Sequence, residues 1–308
     1  MLRRERSGRW VILDYMEIFD DKVAVITGAG GGFGREFARL AAHHGMRLVL
    51  TDVQPDALDA IVNELRESGV TVLDQVLDVA DSRQVAQLAD RVFAELGSVN
   101  LLMNNAGVGC GGYLWDNSER DWQWVMGVNL MGVVHGIRHF VPRMLAAEAN
   151  GETGHIVNTA SMAGWLAPPL MGVYNVSKHA VVALTETLYH DLRLAQSGLG
   201  VSLLCPAFVP TGIAQSHRNR PAELANESEV PSGRLAQAGL EKAVSSGRIS
   251  AADVAAMTFD AVRANRFFVF THPQILPGVE ARLAAALTGS SPADPYATRP
   301  QTRPTAAQ

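Results

Sequence analysis

Short apolar runs alternate with stretches of helical spacing through most of this chain, and that alternation narrows the possible folds more than any other feature. Residues 23–27 (Val-Ala-Val-Ile-Thr), 47–51, 70–77, 99–104, 154–160 and 200–205 read as strands, with 267–270 a last short one. Between them, 32–44, 55–68, 82–96, 119–148, 174–195 and 251–264 have apolar residues at the spacing of a helix buried along one face. Strands separated by helices cannot pair as hairpins. They join through right-handed crossovers into a parallel sheet with helices on both faces. The expected fold class is α/β: a doubly wound parallel sheet (Rossmann fold) in three αβα layers and a single domain. Ligands of such sheets bind beyond the carboxyl ends of the strands, where strand order reverses.

A chain of 308 residues fits one such domain. We expect an N-terminal extension over 1–19, the domain over 20–275 and a tail over 276–308. The stretch 289–308 is rich in Pro, Ser, Thr and Ala and is expected to be disordered. Met16 sits where a compact start would fall, which makes it one hypothesis for the native initiator beside Met1. With 47% apolar and 19% charged residues, a sizeable core can be buried. The net charge of −5 argues against nucleic acid, which needs a basic face. No apolar run reaches the roughly 18 residues of a membrane span, and the basic start lacks the apolar stretch of a secretion signal. Cys110 and Cys205 are too far apart in sequence to read as a metal or redox pair, which fits a reduced, cytoplasmic compartment.

The first strand runs into Thr27-Gly-Ala-Gly-Gly-Gly-Phe-Gly34. The spacing G-x-G-x-x-G fails, because Phe33 stands where its third glycine belongs. The spacing T-G-x-x-x-G-x-G fits through Thr27, Gly28, Gly32 and Gly34. Glycines there allow a sharp turn and let backbone N–H groups approach a pyrophosphate, toward which the next helix aims its positive end. A plain flexible loop is the competing reading; the place between strand and helix favours the phosphate site. Asp52 follows the second strand about 20 residues on, where a carboxylate accepts from ribose hydroxyls and repels a 2′-phosphate. No Arg or Lys follows closely to offset it, so NAD is expected over NADP. A turn-forming Asp before Pro55 is the bland alternative.

Tyr174 and Lys178 are four apart at the start of a helix and share a face. Ser161 lies just past the fifth strand. A phenol of ordinary pKa, about 10, is a poor base at neutral pH. A nearby ammonium and an oxidised nicotinamide lower it. Tyr174 then exchanges a proton with a substrate oxygen that Ser161 orients, while Lys178 also reaches the nicotinamide ribose. Tyr-x-x-x-Lys alone is common by chance; its weight comes from co-occurrence with Ser161 and the glycine loop.

These motifs, with Asp78-Val79, Asn104-Asn105-Ala106-Gly107, Asn129 and 206–211, resemble the short-chain dehydrogenase/reductase family over residues 20–275. The resemblance implies that Asp78 and Val79 contact adenine and that Asn105, Ala106 and Gly107 line the cofactor. It implies that Asn129 holds a water linking Lys178 to solvent, that Pro206, Val209 and Thr211 meet the nicotinamide and pyrophosphate region, and that 211–250 covers the substrate. Phe33 replaces the family's small aliphatic residue. Ala207 replaces the glycine of its Pro-Gly pair, which makes the backbone there less permissive. A homotetramer or homodimer built partly through 119–148 and 174–195 is also implied. The expected activity is NAD(H)-dependent interconversion of a secondary alcohol and a ketone. The alternatives are a non-catalytic NAD-binding sensor or scaffold, or an isomerase, epimerase or dehydratase on the same fold.

Other features weigh less. His135 and His139 are four apart, but packing or surface positions suit them better than a metal, and no metal is expected. The basic 217–220 run could meet an acidic substrate, but a solvated loop is the more ordinary reading. Tyr113, Leu114 and Trp115, with Met162, Trp165, Leu166 and Met171, suggest a pocket for an apolar, aromatic or alicyclic substrate. Subunit contact or loop packing is an equal alternative.

Overall fold

The structure, a computed structural model, describes residues 2–4, 10–12 and 19–297. Leu2–Arg4 (β1) and Trp10–Ile12 (β2) pair antiparallel, apart from the main sheet. Met16 and residues 298–308 lie outside the described residues.

The main sheet is built from Val23–Thr27 (β3), Arg47–Asp52 (β4), Val72–Val76 (β5), Leu101–Asn104 (β6), His155–Thr159 (β7), Gly200–Cys205 (β8) and Phe268–Phe270 (β9). All seven run parallel, in the order β5-β4-β3-β6-β7-β8-β9. The order reverses between β3 and β6, which opens a crevice beyond their carboxyl ends.

Side-chain alternation in β3 shows why two helical layers are needed. Ala24 and Ile26 pack with Phe37, Leu58, Ile61 and Phe259. Val23 and Val25 face the other way, onto Leu88, Val92, Phe140 and Leu188. The first layer comes from Gly32–His43 (α1), Pro55–Glu67 (α2) and, later in the chain, Ala251–Arg263; the second comes from Ser82–Leu96 (α3) and helices described next. Each fully buried Leu, Ile or Phe contributes roughly 1.5–3 kcal/mol.

The expected helix over 119–148 is three pieces: Glu119–Met126 (α4), a π-helical turn Gly127–Met131, and Gly132–Ala149 (α5). Glycines stand at both edges of the turn, at 127 and 132. A Cβ on Gly132 would sit 2.7 Å from Val79 Cγ2, and one on Gly136 would overlap the Asn104 amide, so close packing selects residues that weaken a regular helix. Gly172–Leu194 (α6) crosses the same face. Pro231–Ser245 (α7) precedes Ala251–Arg263 (α8), and Leu276–Leu287 (α9) follows β9. α7 and α9 were not among the expected elements. Their buried positions are few (Ser232 and Val244; Val279), so they carry little apolar periodicity. Among the described residues no helix is long and apolar enough to cross a membrane.

Candidate active site

Thr27 closes the seam between the two halves of the sheet. Its hydroxyl accepts from the N–H of Asn105 (2.9 Å) and of Ala106 (3.0 Å), while Asn105 Nδ2 donates to the Thr27 carbonyl (3.0 Å). The glycine turn therefore stands against the segment after β6. Gly28 has φ +67°, and a Cβ there would lie 2.9 Å from Ala106 Cα. Gly34 sits under the turn, where a Cβ would overlap the Gly28 carbonyl oxygen. The spacing of these glycines is thus a steric requirement.

α1 begins at Gly32 behind Gly31, with no side-chain cap and no acid in its first turn. A Cβ on Gly31 would meet nothing within 4 Å. Uncapped N–H groups beside open space are what an anion's oxygens need. Asp52 ends β4, and its carboxylate accepts from Gly30 N and Gln54 N (both 2.9 Å), which fixes it at the crevice rim. The chain therefore fits a dinucleotide: an open phosphate cradle lies beside an oriented carboxylate.

A cavity of about 1060 Å³ runs from this cradle over the sheet. Of the residues predicted to be catalytic or to bind the cofactor, only Gly34 and Asn129 lie off its wall. Phe33 lines it and packs on Phe37 (ring centroids 6.4 Å apart). Asp78, at the edge beyond β5, accepts from Ala80 N (2.9 Å). Ala207 has no positive φ, so the position that usually carries glycine does not require one here.

Ser161 follows β7, with its hydroxyl accepting from Ala163 N (3.1 Å) and donating to the Pro206 carbonyl (3.3 Å). Burial raises the Tyr174 phenol above its ordinary pKa, and the Ser161 hydroxyl opposes that shift. Lys178 is buried, lies 5.7 Å from the Tyr174 ring centroid and donates to the Thr159 carbonyl (2.9 Å). Burial pulls its pKa down to about 8. Asn129 sits behind them in the π-turn. Its side chain accepts from Val108 N (2.8 Å) and donates to the Val108 carbonyl (2.9 Å) and Ser177 Oγ (3.0 Å). Its amide hydrogens are therefore divided between the loop after β6 and Ser177 of the helix that carries Tyr174. A Cβ on Gly107 would lie 3.5 Å from Asn129 Oδ1 and 3.6 Å from Lys178 Nζ, so both atoms converge on one spot.

The two stretches read as a pocket divide. Met162, Leu166, Pro168 and Met171 line the cavity. Trp165 turns away to pack edge-on against Phe268 and Phe270, while Tyr113, Leu114 and Trp115 are exposed. Gly112 N donates to the carbonyl of Leu170 (2.8 Å), which tethers the two loops. Leu170 holds φ +64°, a conformation that costs about 1 kcal/mol or more outside glycine. His135 Nδ1 bonds the Val79 carbonyl (2.8 Å) and His139 Nε2 bonds Ser82 Oγ (2.9 Å), so both have packing roles. Among the described residues no group of acids, His and Cys could hold a metal.

Residues 212–245 run across the cavity, supplying Ile213, Leu240 and Val244 to its wall. The basic run splits its roles. Arg218 Nε reaches Gln54 Oε1 (3.3 Å) over the cofactor end. Arg220 pairs with Asp121 (2.6 Å), both largely buried, and covers the Trp124 ring at 5.1 Å. Burial pushes the Asp121 carboxyl up, but hydrogen bonds from Arg220, Ser118 and Asn226 outweigh it and hold its pKa below the ordinary value. Removing one partner of a buried pair costs roughly 3–5 kcal/mol. Arg220→Met is expected to loosen this segment, raising KM for both reactants and admitting proteolytic cuts within 212–230. Unchanged KM and protease resistance would show that the pair does not hold it.

Sequence reasoning missed Trp124, Val128, Ile275, Gly278, Ala281 and Arg282, which also line the cavity, as do Pro292, Ala293 and Pro295. Trp124 and Val128 fall within the helix expected over 119–148, and no apolar period marked the others. Pro292, Ala293 and Pro295 belong to the stretch expected to be disordered, of which 298–308 lie outside the described residues.

The comparisons agree with this architecture. The family model for short chain dehydrogenases matches residues 22–222. The CLA biosynthesis dehydrogenase/reductase of Lactiplantibacillus plantarum is 32% identical over 280 residues, covering 90% of this chain and 97% of that protein. The crystal structure of a short chain dehydrogenase/reductase from Burkholderia phymatum in complex with NAD is 54% identical, with TM-score 0.88, covering 90% of this chain and 98% of that one. A metagenomic short-chain oxidoreductase in complex with NADP is 27% identical, with TM-score 0.62, covering 82% and 96%. The chain is an oxidoreductase and belongs to the short-chain dehydrogenase family.

Proposed function

We propose that this chain interconverts an apolar secondary alcohol and the corresponding ketone with NAD(H). The observation that carries the reading is that Ser161, Tyr174 and Lys178 line the same cavity as the glycine turn and Asp52. When bound, the nicotinamide accepts or gives the hydride. In oxidation, Tyr174 Oη takes the proton of the substrate hydroxyl; in reduction, it returns one to the forming alkoxide. Ser161 holds that oxygen by a hydrogen bond. Lys178, charged at pH 7 with a pKa of about 8, draws the phenol down from the raised value that burial gives it. Loops from both sides exclude water from the exchange. A panel of secondary alcohols and ketones, followed by NADH absorbance, tests the reading. Turnover without net NADH change would point to an isomerase or dehydratase instead.

Asp52 supports NAD as the cofactor. A 2′-phosphate would be brought against a carboxylate whose orientation two backbone N–H groups already fix. Like charges placed together cost several kcal/mol. kcat/KM with NAD is expected to exceed that with NADP by ~10²-fold or more, and Asp52→Ala is expected to shrink that ratio. A ratio favouring NADP in the wild type would overturn the assignment.

A further inference from the structure

We infer that Arg282 is a carboxylate-binding residue, and that the substrate is an apolar-bodied alcohol or ketone bearing a carboxylate remote from the reacting carbon. This rests on the reaction proposed above and names its substrate class.

The charge distribution in the cavity is uneven. Its acids, Asp52 and Asp78, both lie at the cofactor end. The wall beyond Tyr174 is apolar, formed by residues such as Leu166, Met171, Ile275 and Ala281, and Arg282 is the charged residue there. Among the described residues that line the cavity no acid stands at this end, and an arginine so placed favours an anion from outside. No carboxylate among the described residues pairs with Arg282, in contrast to Arg220, which Asp121 neutralises.

The guanidinium is also oriented. Nη1 donates to the carbonyl of Trp165 (3.2 Å). Trp165 itself is fixed: its indole N–H donates to Cys205 Sγ (3.3 Å), and its ring packs edge-on against Phe268 and Phe270. With Nη1 engaged, Nε and Nη2 have no acceptor among the described residues. Those two nitrogens form one edge of the plane, with parallel N–H groups at the spacing of two carboxylate oxygens. A tethered fork loses less freedom on binding than a free side chain. Gly278, one turn before Arg282 on the same face of α9, and the neighbouring Ala281 both line the cavity and are small, which leaves room for an alkyl or ring body between Arg282 and the catalytic groups.

The test is the ratio of kcat/KM for a free acid to that for its methyl ester. Secondary hydroxy acids from 3-hydroxybutanoate to 12-hydroxyoctadecanoate, each beside its ester, provide the series. A hydrogen-bonded charge at such a site is worth roughly 10- to 100-fold. In the wild type the ratio is expected to exceed about 10 for acids long enough to span the cavity, with the preference in KM rather than kcat. Arg282→Gln brings the ratio toward one and Arg282→Lys restores part of it. A wild-type ratio near one across the series, or a ratio that Arg282→Gln leaves unaltered, overturns the inference. Turnover of simple secondary alcohols but of no acid also overturns it, while leaving the oxidoreductase reading intact. Failure of every alcohol and ketone removes both.

Discussion

Tyr174→Phe is expected to abolish nearly all turnover while leaving NADH binding close to that of the wild type. The substitution removes one hydroxyl from a side chain that also lines the cavity, so the shape of the site is kept. General acid–base catalysis contributes about 10²–10⁴-fold, and the upper part of that range is expected here. Ser161 cannot substitute for the phenol, because an aliphatic hydroxyl is a far weaker acid than a phenol and gives no competent proton-exchanging group near neutral pH. NADH fluorescence titration and stopped-flow hydride transfer separate binding from chemistry. Retention of more than a tenth of kcat would reject Tyr174 as the proton-exchanging group. Joint loss of binding and turnover would mean a damaged site.

Lys178→Met is expected to inactivate the enzyme and to stabilise the cofactor-free protein at neutral pH. The fold holds this ammonium at a pKa of about 8, against 10.5 for the free side chain, because burial removes its water. Between those values the unfolded chain binds more protons than the folded one, so stability rises with pH across that window. Below pH 8 the full penalty applies, on the order of 3 kcal/mol. A methionine of similar length avoids it, although the Thr159 carbonyl loses its 2.9 Å donor and some of the gain with it. A rise in Tm of several degrees is expected at pH 7, fading as pH climbs from 8 toward 10.5. Thermal melts of both proteins at three pH values decide the matter. A lower Tm for the variant at pH 7, or a gain that persists unchanged at high pH, contradicts the reading.

The sheet was legible because its strands are buried on both faces and read as continuous apolar runs, and because glycine and aspartate mark their ends. The glycine turn, Asp52, Ser161 and the Tyr174–Lys178 pair could be placed because backbone geometry forces them to strand ends and to one helix face. Two things could not be read. The π-turn at 127–131 lies beside the close contacts of Gly132 with Val79 and of Gly136 with Asn104, each distant in sequence. The outer cavity wall comes from α7, α9 and residues 292–295, which bury so little that no period announces them. Trp165 shows the same limit. Its place in the sequence suggested the pocket, but Phe268 and Phe270, about a hundred residues on, draw its ring away and leave its carbonyl for Arg282.

That late-arriving wall separates two duties along the polypeptide. The groups that would move hydride and proton are fixed by residue 178, whereas the surface that would select a molecule by shape and charge includes a stretch beginning near residue 275. Among the described residues the C-terminal stretch contributes no strand to the sheet after β9. Its composition is thus free to drift without disturbing either the cofactor cradle or the proton path, and a graft confined to it could redirect one reaction to a new clientele of molecules.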